Sequence, residues 1–278
     1  MRIISENQII ETVAELVQEA NINLPEDVKQ ALVKALEEET NPVGKEILRQ
    51  LVENYKLAEQ TQLPLCQDTG LAIFFVELGQ DVFIEGDLVE AINQGVRLGY
   101  EAGFLRKSVC DPFTRINTGD NTPAFIHLDL VKGDKLKIKF MAKGGGSENM
   151  SRATMLTPAQ GWKGIKEFVL KRIAEAGPNP CPPIIVGIGI GGTFDYAPIL
   201  AKKALFRPLT LEHWDSELAA KEKELLTAIN ELGIGPMGLG GKITCLGVKI
   251  EKSPCHIASL PLAVNIQCHS SRRKEVEI

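Results

Sequence analysis

Hydrophobic positions recur every three to four residues through the opening stretch of the chain. Ile9, Val13, Leu16 and Val17 form one stripe, Val28, Leu32 and Leu36 a second, and Ile47, Leu51 and Tyr55 a third. That spacing is the period of helices with one buried face. Ser5-Glu6-Asn7-Gln8 opens the first helix as a capping box, Pro25 stands where a helix-starting proline belongs, and Asn41-Pro42 divides the second from the third. Residues 1–60 are therefore expected to be a helical support layer, since their polar positions are plain surface charges.

From Pro64 the pattern turns to strands. LAIFFVEL (71–78) is a continuous apolar run, the mark of a strand buried on both faces. AFIHLDLV (124–131), the turn KGDK and LKIKFMAK (136–143) predict a hairpin in which Leu136, Ile138 and Phe140 alternate with Lys135, Lys137 and Lys139. Helical patterns cover about 87–102, 158–176, 196–205 and 211–232, and further strands cover 184–190, 242–250 and 259–267. This irregular alternation predicts an α/β (α+β) fold: a mixed β-sheet covered by helices, with the helical N-terminal portion, in a single domain over 1–278.

Composition narrows the function. A net charge of −5 gives a nucleic-acid partner no electrostatic support. The basic triplet Arg272-Arg273-Lys274 is followed by Glu275 and Glu277 and reads as a solvated or subunit-facing tail. No apolar run approaches the ~20 residues that span a bilayer, and the N-terminus lacks a signal-like apolar core. A cytoplasmic protein without a membrane partner is expected.

Six cysteines occur without any C-x-x-C spacing, so neither a disulfide framework nor a ribbon-type zinc site is expected. Cys110 and Cys245 fit small buried hydrophobes. Cys66, Cys181 and Cys268 do not, because each lies among glycines, prolines or polar residues at a strand edge: LPLCQDTG (63–70), GPNPCPP (177–183) and NIQCHSSRR (265–273).

Two glycine runs offer themselves as binding loops. Gly187, Gly189 and Gly192 satisfy G-x-G-x-x-G after a strand, but no second strand follows with an acidic end at the spacing a dinucleotide site needs. Gly187 and Gly189 are better read as places where another backbone or a cofactor approaches the strand. KGGGSEN (143–149) is either an anion-binding nest of backbone N–H groups or a flexible exit from the hairpin.

LCQDTG, KGGGSEN, NPCPP with IIVGIGIGGTFD, and CHSSRR occur in one order over nearly the whole chain. In this the sequence resembles the α subunits of two-subunit, iron–sulfur (class I) fumarate hydratases, whose relatives include L(+)-tartrate dehydratase. The resemblance implies one hydro-lyase catalytic domain and a [4Fe-4S] cluster held by Cys66, Cys181 and Cys268, with Cys255 a rival for the third place. It implies that Gln67, Arg106 and the Gly145 N–H contact a small dicarboxylate, that Asp68 moves a proton, and that His256 in SPCHIAS acts with it at the substrate. It also implies a β subunit that completes the site, in an oligomer of αβ units.

Blander readings stand beside these. Asp68-Thr69-Gly70 could be a turn only, and Arg106-Lys107 a solvated helix end. His127 reads as structural, His213 as a surface residue, and His269 as a group that could orient the cluster. Fumarate is the expected substrate, with tartrate or a methylated relative next. The rival functions are an iron–sulfur binding or redox-sensing module, and a nucleotide-binding protein.

Overall fold

Ser5 caps the first helix as its context predicts: in a computed structural model that describes residues 2–278, its hydroxyl accepts the Gln8 N–H at 3.3 Å. The chain begins with β1 (Arg2–Ser5), α1 (Glu6–Ile22), α2 (Glu26–Glu38) and α3 (Pro42–Thr61). It continues with β2 (Leu71–Gly79), β3 (Val82–Glu85), α4 (Leu88–Ala102), β4 (Phe125–Val131), β5 (Leu136–Lys143) and α5 (Gly145–Glu148). Then come β6 (Arg152–Leu156), α6 (Gly161–Ala176), β7 (Ile184–Gly192), α7 (Tyr196–Ala204) and α8 (Ser216–Asn230). The last strands are β8 (Cys245–Cys255), β9 (Leu260–Gln267) and β10 (Arg273–Glu277). The fold is mixed α/β, as expected, and the chain divides into two compact units.

The first unit contains the described residues up to Pro25, Asn54–Gly145 and Ser270–Ile278. Its main sheet has the order β10-β5-β2-β4, and β1 pairs with β3 in parallel beside it. Phe74, Val76, Ile138 and Phe140 form a core with Ile9 and Val13 of α1 and Ile92 and Val96 of α4. Each such side chain contributes about 1.5–3 kcal/mol when fully buried. Residues 72–76 are all buried, in agreement with the uninterrupted apolar run.

The predicted hairpin does not form. β4 pairs with β2 in parallel, β5 pairs with β2 antiparallel, and β2 lies between them. The apolar run 71–76 is the kind of strand found in a sheet's interior, and β2 is paired along both edges. The link 132–135 steps over its end, where Gly79 N donates to Lys135 O and Asp81 N to Gly133 O, both at 2.9 Å. The basic triplet is not a solvated tail either. Arg272 is 1% exposed with Nη1 donating to Asn21 Oδ1 at 3.1 Å, Arg273 begins β10, and Lys274 pairs with Glu19.

The second unit contains Glu26–Glu53 and Gly146–His269. Its sheet has the order β6-β9-β7-β8, with β8 parallel to β7 and β9 antiparallel. Ile184, Val186 and Ile188 pack with Val264, Ile266, Leu225 and Ile229. Gly187 and Gly189 admit a backbone, not a nucleotide. A Cβ at Gly187 would stand 2.1 Å from Ala201 O, and one at Gly189 2.0 Å from Ala197 O, so α7 lies directly on the strand.

Glu39 fastens the end of α2 to the approach to β8. Its carboxylate accepts the N–H groups of Thr40 and Asn41 at 2.9 Å and of Lys242 and Ile243 at 3.0 Å. Burial raises its pKa, but the four donors more than offset that and hold it below 4.5.

α8 starts later than its charge pattern predicts, because Asp215 caps it by accepting the Glu217 N–H at 3.0 Å. His213, just outside the cap, is buried and not a surface residue; its Nδ1 accepts the Asp215 N–H at 2.9 Å. Among the described residues no helix is long and apolar enough to cross a membrane.

Candidate active site

In the first unit the candidate residues collect at one end of the sheet. Leu71 of β2 stands opposite Lys143 of β5, so the loop before β2 and the loop after β5 emerge together. Asp68 bridges them: Oδ1 accepts the Gly70 N–H at 3.0 Å and Oδ2 accepts the Gly145 N–H at 2.8 Å. Gly70 must be glycine here. Its φ is +73°, and a Cβ would lie 2.7 Å from Lys143 N. Of the triglycine run, the Gly145 N–H is thus engaged by the Asp68 carboxylate in this structure.

Arg106 joins the same end through its backbone. Thr69 Oγ1 donates to Arg106 O at 2.8 Å, and the guanidinium-bearing residue itself is exposed. Gln67 is exposed beside Asp68, and the half-buried Cys66 thiol donates to Gln67 Oε1 at 3.4 Å.

Two residues that sequence reasoning missed hold these loops. The fully buried Tyr100 donates to Thr69 O at 2.9 Å, and burial pushes its phenol pKa up. The fully buried Asn121 accepts the Ser108 N–H at 2.7 Å and donates to Gly70 O at 3.2 Å. The run Gly119-Asp120-Asn121-Thr122-Pro123 announces a loop in the sequence, but not that its asparagine points inward.

The second unit gathers a different set. Ile185 of β7 pairs with Gln267 of β9, so Cys181, just before β7, and Cys268, just after β9, belong to the same end of that sheet. His269 ties the two segments, with Nδ1 3.1 Å from Cys181 O. Cys181 is exposed and has φ +55°. A non-glycine residue in that region costs about 1–3 kcal/mol and persists only where its surroundings impose it.

His256 and Cys255 lie elsewhere. β8 runs parallel to β7, and Cys255 pairs with Gly192 at the far end of the strand. The whole of β7, Ile184–Gly192, lies between that end and Cys181, about 26 Å from its first residue to its last at ~3.3 Å per step. His256 is exposed there, its Nδ1 accepting the Ala258 N–H at 3.1 Å. Cys268 shares an end of this sheet with Cys181, as does the buried Cys245 opposite Ile184, whereas Cys255 and His256 lie at the other end.

All six cysteines are outside disulfides. Cys245 is buried in the apolar core of the second unit, and burial pushes its thiol up to about 12. Cys110 is half-buried and its segment bridges to Asn117. Among the described residues no three His, Cys, Asp or Glu side chains gather around a single ion. Cys66, Cys181 and Cys268 fit an iron–sulfur group by donor chemistry: they are thiols in loops, outside the apolar cores, and such clusters are held by thiolates.

The model of the fumarate hydratase (Fumerase) family matches residues 10–277. A protein of Methanocaldococcus jannaschii, provisionally named L(+)-tartrate dehydratase subunit alpha, is 50% identical over 274 residues, covering 96% of each chain. The L(+)-tartrate dehydratase subunit alpha of Escherichia coli strain UTI89 is 33% identical over 276 residues, covering 98% of this chain and 91% of its own. The loops built around Asp68, Cys181 and Cys268 fall inside these matches, and the chain belongs to the fumarate hydratase (Fumerase) family of hydro-lyases.

Proposed function

We propose that this chain is the α subunit of a two-subunit hydro-lyase that adds water reversibly across the double bond of fumarate to give malate. The observation that supports this most is the Asp68–Gly145 bond at 2.8 Å, with the Arg106 segment fastened to Thr69 beside it. One end of one sheet then brings a carboxylate and glycine N–H groups beside the segment that carries Arg106, which supports a site for a dicarboxylate.

In the dehydration direction Asp68 takes a proton from the carbon α to a carboxylate, and in hydration it returns that proton. The bond from the Gly70 N–H orients the carboxylate for this. Removing such a proton builds negative charge on the substrate carboxylate. Arg106 grips that group in a fork, and Gly145 turns its N–H from Asp68 to the substrate, so positive charge stands where negative charge grows. Gln67 adds a polar contact.

Cys66, Cys181 and Cys268 are the proposed ligands of a [4Fe-4S] cluster, which when bound supplies an iron with an open position as the Lewis acid for the hydroxyl. His256, which the resemblance makes a substrate contact, would reach the site of another copy and not that of its own chain. A β subunit completes the site, and the αβ units assemble further in the cytoplasm.

A second reading, L(+)-tartrate dehydration, is supported by the names the relatives carry. Both reactions remove water from a 2-hydroxy dicarboxylate. Anaerobic co-expression with the β subunit, followed by iron and sulfide analysis and assays on malate, fumarate and L(+)-tartrate, tests the proposal. Bound iron and sulfide with turnover of one of these supports it. A cluster whose spectrum ignores all three acids, without turnover, would leave an iron–sulfur module in place of an enzyme.

A further inference from the structure

The segment CHSSRR gives the proposed site only Cys268, yet its first arginine, Arg272, lies wholly buried in the first unit. Its backbone is fixed at the sheet margin: Ala142 N donates to Arg272 O at 3.0 Å, and Arg272 N to Ser270 O at 2.8 Å. The guanidinium is fixed as well. Nη1 donates to Asn21 Oδ1 at 3.1 Å, and that amide is held in turn because Asn21 Nδ2 donates to Val17 O at 2.8 Å. Nε donates to Ser270 O at 3.4 Å.

Both acceptors are neutral. A guanidinium keeps its charge at any physiological pH, and a charge taken out of water is costly unless an opposite charge stands near. Glu19, two residues before Asn21, is engaged by Lys274. The half-buried Asp68 is differently placed. A Cβ at Gly144 would stand 3.8 Å from Arg272 Nη2 and 3.1 Å from Asp68 Oδ2, so both groups border the space that Gly144 leaves by having no side chain. The buried Tyr100 phenol feels both charges: burial pushes its pKa up, Arg272 opposes that and Asp68 adds to it.

We propose that Arg272 is a positioning residue for the reaction, its buried guanidinium being the counter-charge that holds Asp68 Oδ2 in place once the Gly145 N–H turns from it to the substrate. The proposal rests on the reading of Asp68 as the group that moves a proton. Under that reading Oδ2 gives up its 2.8 Å bond to Gly145, and Oδ1 keeps the Gly70 N–H at 3.0 Å. A single backbone bond leaves a carboxylate free to swing about it. A fixed cation beside Gly144 does not leave with the Gly145 N–H, and it restrains that swing. Arg272 is too deeply buried to meet the substrate, so its effect reaches the reaction through Asp68, whereas the exposed Arg106 is the arginine that grips the acid.

The kinetic arm of the test uses the αβ complex, with iron and sulfide measured, on whichever of malate, fumarate or L(+)-tartrate it turns over. Arg272→Met, which keeps bulk and removes charge, is expected to lower kcat by about 10²-fold at unchanged KM, with the cluster retained. Arg272→Lys, which restores a cation without the fork, is expected to recover part of that loss. A residue that served packing alone would move the urea midpoint and leave kcat per iron-loaded site at the parental value. The second arm is urea unfolding of the full chain and needs no activity. Asp68→Asn keeps the shape but strands the Arg272 charge, so it is expected to lower the midpoint. Asp68→Asn combined with Arg272→Met is expected to lose less than the two single losses together. If Arg272→Met does not fold, Asp68→Asn decides this arm by itself.

A parental kcat in Arg272→Met, an Arg272→Lys no more active than it, an unchanged midpoint in Asp68→Asn, or midpoint losses that simply add would each overturn the proposal. Asp68→Asn at parental turnover would remove the proton role of Asp68 and this inference with it. An inactive Asp68→Asn beside a fully active Arg272→Met would overturn the inference and leave that role standing.

Discussion

Asn121 is the joint between the loops that carry Asp68 and Arg106. Its Oδ1 accepts the Ser108 and Val109 N–H groups at 2.7 and 3.3 Å, its Nδ2 donates to Gly70 O at 3.2 Å, and its φ is +63°. Asn121→Ala removes all three bonds inside a site closed to water. Stranding the short Ser108 bond costs about 1–3 kcal/mol, and each longer one adds about 0.5 kcal/mol. Left-handed backbone at alanine adds about 1 kcal/mol.

The total is on the order of 4 kcal/mol, which lowers the melting temperature by roughly 8–16 °C for a chain of this size. Asn121→Gly loses the same bonds but tolerates the backbone, and is expected to recover about 1 kcal/mol. Thermal and urea unfolding of both variants, with amide exchange at Ser108 and Val109, measures this. An alanine variant within about 1 kcal/mol of the parent, or one more stable than the glycine variant, would refute the reasoning.

Other outcomes follow from the same geometry. Asp68→Ala and Arg106→Ala should each lower kcat/KM of the αβ complex by about 10²–10³ while iron and sulfide content stay unchanged; normal turnover in either removes that residue from the site. Gly189→Ala puts a methyl 2.0 Å from Ala197 O and 2.6 Å from Ala201 N, so α7 must shift, at about 1–3 kcal/mol by urea midpoint. An unchanged midpoint there contradicts the close approach.

Glu39 has a folded pKa below its unfolded value, so its contribution is complete above pH 4.5 and is lost as pH falls below it. Glu39→Gln should therefore be less stable than the parent at pH 7, with the gap closing under acid. A gap that is constant with pH argues against the depressed pKa. Mixing Asp68→Ala with His256→Ala should restore activity that neither has alone, if His256 serves another copy's site; an inactive mixture opposes that.

Helical and strand periods identified most elements, because the buried face of each writes itself into the local sequence. Strand order did not, because it depends on residues far apart. The short KGDK link reads as a hairpin turn until β2 claims the place between its neighbours. For the same reason the basic triplet reads as surface, although Asn21 and Glu19 on α1 receive two of its members.

The candidate loops were legible one at a time. LCQDTG and KGGGSEN each carry a chemical signal, but that Asp68 meets the Gly145 N–H is a fact of sheet register. Tyr100 and Asn121 carry no motif, since a residue that supports loops through backbone atoms leaves no pattern of its own. The distance of His256 from Cys181 depends on the direction of β8, which no sequence period encodes.

The charged margin at β10 also bears on solubility. An outer strand of a sheet invites other chains unless its side chains discourage them. Here the border bearing Arg273, Lys274, Glu275 and Glu277 opposes such recruitment, which guards that side of the sheet against growth into a fibre.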